Sequence, residues 1–297
     1  MKVLITGTGF LGSSLLATLI KETRDDIFTL SRSNYNYYQH ITCDLLDIEK
    51  VKQTIQDIQP DIIYHTAGNA INKPDANNPS LVLRQNIEAT NNLLFSLQKK
   101  TRFVFISSVT VYGIFHKTYP PNWTIRPHPL SLYSTSKLAC ENLVSVYTHQ
   151  EKIDGVSIRI PALVGINATH GLLKDLISKT LSDSEKLNLI GKYPGSIKPY
   201  QHVDEISKII YNIGTRQFGY EDVGLLTVVG NKDSLSVDQV AKLVMRELRK
   251  TKEIEWSNDF WVGDNPEIYI DPCYMPKSNS TDSIIKVLKE YKLANSR

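Results

Sequence analysis

The chain opens on a short apolar run, "KVLIT" (2–6), which ends in "GTGFLG" and continues as a helical pattern with Phe10, Leu15, Leu16, Leu19 and Ile20. A strand, a glycine turn and a helix in direct succession leave few architectures open. The pattern then repeats. "DIFTLS" reads as a second strand, "EKVKQTIQDI" as a helix closed by Pro60, and "DIIYHTAG" as a third strand. A long helix is expected over about 80–99, with Leu83, Ile87, Leu94 and Leu97 at helical spacing. "RFVFISS" is a fourth strand, a Pro-rich loop covers 113–130, a helix carries Tyr133, and "GVSIRI" is a fifth strand. Apolar strands alternating with amphipathic helices imply a parallel sheet covered on both faces. The expected fold class is therefore α/β: a Rossmann-type doubly wound parallel sheet with a smaller mixed α/β C-terminal lobe.

After about residue 165 the rhythm loosens. Helical stretches near 170–182, 204–213 and 236–249 mix with short strands such as "LLTVVG", with no linker rich in Gly, Ser or Pro and no internal repeat. The expected organisation is a first domain over 1–165, to which the chain can cross back after 190, and a smaller substrate lobe over 166–297.

Gly7, Gly9 and Gly12 have G-x-G-x-x-G spacing at the first strand–helix junction. Glycines there let the backbone turn sharply and approach a pyrophosphate, which sits on the free N–H groups and positive dipole of the helix N-terminus. Cofactor choice is written at the end of the second strand, where an acid takes a ribose 2′-hydroxyl and an arginine receives a 2′-phosphate. Here the strand ends "LSRSN", with no acid and with Arg32 in place. Pairing of a guanidinium with phosphate favours NADP, with NAD as the other possibility.

In "LYSTSKLACE", Tyr133 and Lys137 stand four residues apart, on one face of a helix. A phenol with a pKa near 10 is a poor acid–base group at neutral pH. An ammonium and a positive nicotinamide ring nearby favour the phenolate and lower that value. Ser107 and Ser108 end the fourth strand, and ligands of open parallel sheets bind outside the carboxyl ends of the strands. Both hydroxyls are expected to face the cleft, with Ser108 holding a substrate oxygen while Tyr133 exchanges its proton.

Together "TGTGFLG", "CDLLD", "YHTAG", "FISSVTVYG", "YSTSK" and "YQHVDE" resemble the extended short-chain dehydrogenase/reductase family. More narrowly, they resemble its nucleotide-sugar epimerases, dehydratases and 4-keto-reductases, in order and spacing from residue 2 to about 250. The resemblance implies Tyr133 as catalytic acid/base, Lys137 on the nicotinamide ribose, and Ser108, four residues before Tyr112, as the catalytic serine. Gly7, Gly9, Phe10, Leu11 and Gly12 would seat the cofactor. Asp44 and Leu45 would bracket its adenine, Ala67 and Gly68 would line its channel, and Asn86 and Pro161 would complete its surroundings. Ser107, Val109 and Lys198 would meet the substrate, Lys198 at its pyrophosphate.

The chain also departs from that family. Its glycine turn is one residue shorter than the usual G-x-x-G-x-x-G. Val109-Thr110 stands where dehydratases carry Asp-Glu, which argues against 4,6-dehydration. Ala162 of "RIPALVG" replaces a substrate-binding Asn. The resulting expectation is NADP-dependent reduction of a 4-keto nucleotide-diphosphate sugar. The rivals are an epimerase that retains NAD and a non-catalytic NADP-binding regulator, against which the intact Ser108, Tyr133 and Lys137 argue.

Charge and composition set limits. Net charge is +3, from 34 Lys and Arg against 31 Asp and Glu, too balanced for a nucleic-acid footprint. No apolar run approaches the length of about 20 residues that spans a bilayer, and no leader or membrane segment is expected. Cys43, Cys140 and Cys273 are scattered without C-x-x-C, which suits a reducing cytoplasm and argues against disulfides and a metal site. From Ala89 to Cys140 there is no acid, while Lys99, Lys100, Arg102, Lys117, Arg126 and Lys137 occur. Lys99, Lys100 and Arg102 read as a solvated helix end; Lys117 and Arg126 are equally consistent with a wall that attracts an anionic substrate. His65 reads as a packed core histidine, and His202 has no ligand at metal spacing. The helix over 80–99 and the one carrying Tyr133 are candidate faces of a homodimer.

Overall fold

In the computed structural model, residues 1–37, 39–70, 78–113, 127–217, 224–227, 234–258 and 276–295 are described. Cys273, His116, Lys117, Trp123, Arg126 and Trp261 lie outside them.

The chain runs β1 (Lys2–Thr6), α1 (Phe10–Glu22), β2 (Asp26–Ser31), β3 (His40–Thr42), α2 (Ile48–Ile58) and β4 (Ile62–His65). It continues α3 (Pro79–Leu83), a π turn (Arg84–Glu88), α4 (Ala89–Phe95), β5 (Thr101–Ser108), a 3-10 turn (Val109–Tyr112), α5 (Leu132–His149) and β6 (Ile153–Ile160). Then come β7 (Ala162–Val164), α6 (Leu172–Leu181), β8 (Lys186–Leu189), β9 (Ile197–Lys198), β10 (Tyr200–His202) and α7 (Val203–Gly214). The last elements are β11 (Leu225–Thr227), β12 (Leu235–Ser236), α8 (Val237–Leu248), β13 (Glu253–Trp256) and α9 (Ser280–Asn295).

Packing separates two compact units, and the chain leaves the first of them after Tyr112, after Ile160 and after Thr227. The first unit holds the chain to Tyr112, then α5 and β6, and takes back Ser207–Thr227. Its seven strands pair in parallel in the order β11-β6-β5-β4-β1-β2-β3. From β1 the chain steps outward to β2 and β3, then returns to β1's other side to place β4. The loops after β1 and β4 therefore meet where the winding reverses, the place at which doubly wound sheets bind ligands. Strands β1, β4 and β5 are apolar without alternation because helices cover both faces. Leu4, Ile63, Phe103, Phe105, Leu93 and Val144 form the core between them.

The helix expected over 80–99 spans 79–95 and contains the π turn, in which the Ala89 N–H donates to Arg84 O. One extra residue is accommodated without breaking the apolar stripe, so side-chain spacing alone does not show it.

The second unit takes the stretch that begins at Gly113, then Pro161–Ile206 and the chain after β11. β7 pairs in parallel with β10, β8 in parallel with β13, and β9 antiparallel with β12. Its core gathers Leu176, Leu187, Val240, Val244, Ile284 and Leu288 from α6, β8, α8 and α9. Among the described residues no helix is long and apolar enough to cross a membrane.

Candidate active site

The glycine turn holds three different jobs. Gly7 has φ +88°, and a Cβ there would lie 2.6 Å from Ala67 N, so only glycine lets β1 hand over to α1 beside the β4 loop. A Cβ on Gly12 would lie 1.9 Å from Gly7 O, so Gly12 lets α1 press against its own turn. Thr66 Oγ1 locks the junction by donating to Thr6 O and Gly7 O, each at 2.9 Å. At Gly9, the N-cap of α1, a Cβ would meet nothing within 4 Å. The first-turn amides of α1 are thus reached from an open cradle, which is the fit a pyrophosphate requires.

A groove of about 480 Å³ runs from this turn. Gly7, Gly9, Arg32, Asp44, Leu45, Ala67 and Gly68, all expected to meet a cofactor, line it. Phe10 and Leu11 form the first turn of α1 and are half-buried, but they are not among the lining residues. Thr8, Tyr35, Thr66 and Gln85 line the groove without having been singled out by sequence. Arg32 follows β2 and is exposed. The loop beyond it is tethered by His40, whose Nε2 lies 3.0 Å from Ser33 O and whose Nδ1 lies 3.0 Å from Thr29 Oγ1.

Tyr133 enters on the first turn of α5, which Ser131 and Ser134 close with a capping box. It is half-buried, and Ser108, the last residue of β5, is the side chain beside it that favours its phenolate. Burial pushes its phenol up to about 12, and Ser108 pulls the other way. The expectation that Lys137 lowers this value is not met by the protein alone. Lys137 is buried, its Nζ donates to Ile106 O at 2.8 Å, and burial pushes its own pKa down. The ammonium stands 5.9 Å from the Tyr133 ring centroid.

The π turn supplies the brace. Asn86 Nδ2 donates to Asn69 O at 3.1 Å and to Ser136 Oγ at 2.8 Å, while its Oδ1 accepts from Asn69 N at 2.6 Å. Ser136 donates in turn to Tyr133 O at 2.7 Å. One buried amide thus joins the loop after β4 to the helix of Tyr133 and Lys137.

Ser107 is a correction. Its hydroxyl is buried and donates to Glu141 Oε1 at 2.5 Å. Ser107 is taken up by α5 at Glu141, two turns beyond the Tyr133 that Ser108 meets. Glu141 is also held by Arg159, at 2.9 Å and 2.6 Å, and the guanidinium lies 4.5 Å from the Tyr112 ring centroid. Burial opposes the Arg159 charge, but Glu141 and Tyr112 outweigh it and its pKa is raised.

Val109 opens the 3-10 turn and is buried. Lys198 sits on β9 opposite Leu235 of β12, and Pro161 lies in the second unit directly after β6. His65 is a core histidine, as expected: Thr6 Oγ1 lies 2.5 Å from Nδ1 and Thr90 Oγ1 2.9 Å from Nε2. Burial, helped by Lys137, pushes its pKa down to about 3. Lys99 is exposed and pairs with Asp61 at 2.5 Å, whereas Arg102, expected at the same solvated helix end, stands in β5, half-buried, on Asp154 at 2.8 Å. Near His202 the fold gathers Asp204 and Glu290, which sequence spacing did not bring together. Lys286 Nζ lies 3.1 Å from His202 Nδ1 and already supplies the positive charge of that group.

The profile of the NAD dependent epimerase/dehydratase family matches residues 3–218. The chain belongs to that family. A UDP-glucose 4-epimerase of Mycoplasma genitalium is 26% identical over 284 residues, 84% of this chain and 83% of the relative. Among solved structures, the Thermus thermophilus UDP-glucose 4-epimerase with NAD superposes with a TM-score of 0.82 at 21% identity, covering 98% of this chain and 99% of that one. The Thermotoga maritima UDP-glucose 4-epimerase with UDP-glucose gives 0.83 at 18% identity, covering 99% of each. Family and fold agree with the resemblance carried by the motifs, and with an enzyme of the extended short-chain dehydrogenase/reductase type.

Proposed function

We propose that this family member reduces a 4-keto nucleotide-diphosphate sugar with NADPH. The observation that carries the reading is the meeting of Ser108, Tyr133 and Lys137 at the carboxyl end of β5, in the unit whose groove is bordered by Arg32 rather than an acid at the end of β2. When bound, the nicotinamide supplies the hydride that the carbonyl carbon receives. Ser108 holds the carbonyl oxygen, and Tyr133 gives it the phenolic proton as the carbonyl becomes an alcohol. Solvent then reprotonates the phenolate. Lys137 holds the nicotinamide ribose, Asp44 and Leu45 the adenine, and Arg32 a 2′-phosphate. Val109 and Lys198 face the substrate, Lys198 its diphosphate, and Asn86 and Pro161 complete the cofactor's surroundings. The exposed Leu81, Phe95 and Val146 on α3, α4 and α5 suit a homodimer, and the buried free thiols of Cys43 and Cys140 suit a reducing cytoplasm.

The test is a panel of a dTDP-linked 4-keto-6-deoxy sugar, UDP-glucose, UDP-galactose and UDP-glucuronic acid, each with NADPH and with NADH. One NADPH oxidised per keto sugar consumed is the expected result. A second reading, epimerisation with retained NAD, is favoured by the names of the relatives. Copurifying NAD and interconversion of UDP-sugar epimers without net NADPH use would decide for it.

A further inference from the structure

Thr110 has no part in the chemistry described so far. It lies in the 3-10 turn that follows β5, two residues beyond Ser108. Its backbone N–H donates to Ser108 Oγ at 3.2 Å, and its hydroxyl donates to the same oxygen at 3.0 Å. A serine hydroxyl has two lone pairs and one proton. Thr110 engages both lone pairs, which leaves Ser108 only its proton to offer. Tyr133 is the titratable neighbour of Ser108, and Ser108 favours its phenolate.

We infer that Thr110 is a positioning residue that turns Ser108 into an obligate donor, aimed at the Tyr133 oxygen and the substrate oxygen beside it. This rests on the reading that Ser108 and Tyr133 carry the reaction. A donor at that place stabilises both the phenolate left after proton transfer and the alkoxide that precedes it. Were the Thr110 hydroxyl absent, Ser108 could rotate and accept from Tyr133 instead, which would stabilise the wrong protonation state of the phenol. The position also explains what Val109-Thr110 does in place of an acid pair. A neutral hydroxyl cannot drive elimination of water, but it can fix the direction of a neighbouring proton. Capping of the 3-10 turn is a separate job done by the Thr110 N–H, which survives substitution of the side chain.

The test compares Thr110→Val, Thr110→Ser, Ser108→Ala and the Ser108→Ala/Thr110→Val pair on the substrate panel above, with thermal melts alongside. Loss of the one neutral hydrogen bond that orients Ser108 predicts a kcat about fivefold lower in Thr110→Val, with KM within about twofold. Thr110→Ser restores the rate, and Thr110→Val costs nothing further once Ser108 is alanine. Should valine disturb folding, Thr110→Ala is read in the same way. An active wild type with a Thr110→Val kcat within about twofold overturns the inference and leaves the reading of Ser108 and Tyr133 standing. The same loss in the Ser108→Ala background also overturns it. A wild type inactive on the whole panel overturns the functional reading and this inference together.

Discussion

The hydroxyl of Ser107 donates to Glu141 at 2.5 Å, so the two adjacent serines that end β5 both meet α5, Ser108 at Tyr133 and Ser107 two turns further along. Glu141 follows Tyr133 and Lys137 on the same helix at the same four-residue step, and Arg159 neutralises it from β6. Removing one partner of a buried pair strands the other charge, at about 3–5 kcal/mol. Urea denaturation of Glu141→Ala should show a loss of that size. Ser107→Ala should lose only about 1 kcal/mol and keep its KM. A large rise in KM at full stability would return Ser107 to the substrate.

Gly9 and Gly12 should separate binding from folding. Gly12→Ala forces a Cβ to 1.9 Å from Gly7 O, so the variant should be insoluble or melt far below the wild type. Gly9→Ala places its methyl where nothing lies within 4 Å and should melt normally. That methyl would occupy the pyrophosphate seat, so dinucleotide affinity, read by fluorescence titration, should fall at least about tenfold.

The pH dependence of the reaction should follow Tyr133. Its phenol is pushed up to about 12 by burial, so the protein alone keeps it protonated at neutral pH, ready to act as an acid. Reduction should hold its rate through neutrality, whereas the reverse oxidation, which needs the phenolate, should accelerate as pH rises. Ser108 lowers the value, so Ser108→Ala should move the alkaline limb of both profiles to higher pH. Stopped-flow rates in the two directions check the sign.

His65 should make the fold acid-sensitive. Its folded value, about 3, lies below the ordinary histidine value of about 6.5, so on acidification the unfolded chain takes the proton first. Its contribution is fully present above about pH 6.5 and is lost as pH falls toward 3, by at most about 1.4 kcal/mol per pH unit. Denaturation curves at pH 7.5 and 5 should differ in the wild type. In His65→Asn the overall stability should be lower but this difference smaller.

The long apolar runs announced β1, β2, β4, β5 and β6 because strands buried on both faces need little else in their composition. β3 carries His40, Ile41 and Thr42, none of them fully buried, and has no such mark. The two- to four-residue strands of the second unit are equally silent, since their pairing is set by distant partners. Tyr133 and Lys137 could be found because one helix fixes their spacing. Glu141, Arg159 and Thr110 could not, because their roles arise from contacts across β5, α5 and β6 or from a turn whose geometry no spacing encodes. Ser107 was misplaced for the same reason: its partner Glu141 lies two turns beyond Tyr133 on α5, a contact that no spacing along β5 announces.

The sheet of the first unit takes its last strand from Leu225–Thr227, and Gly214 of α7 sits so close to Tyr64 that a Cβ would lie 2.3 Å from its hydroxyl. During synthesis, then, the nucleotide-groove half of the molecule stays unfinished while the ribosome makes another sixty-odd residues beyond Ile160. Until β11 and α7 emerge, β6 presents a bare edge and Tyr64 lacks its cover. A gene cut after residue 165 would therefore encode an open sheet prone to self-association rather than a domain that can be studied by itself.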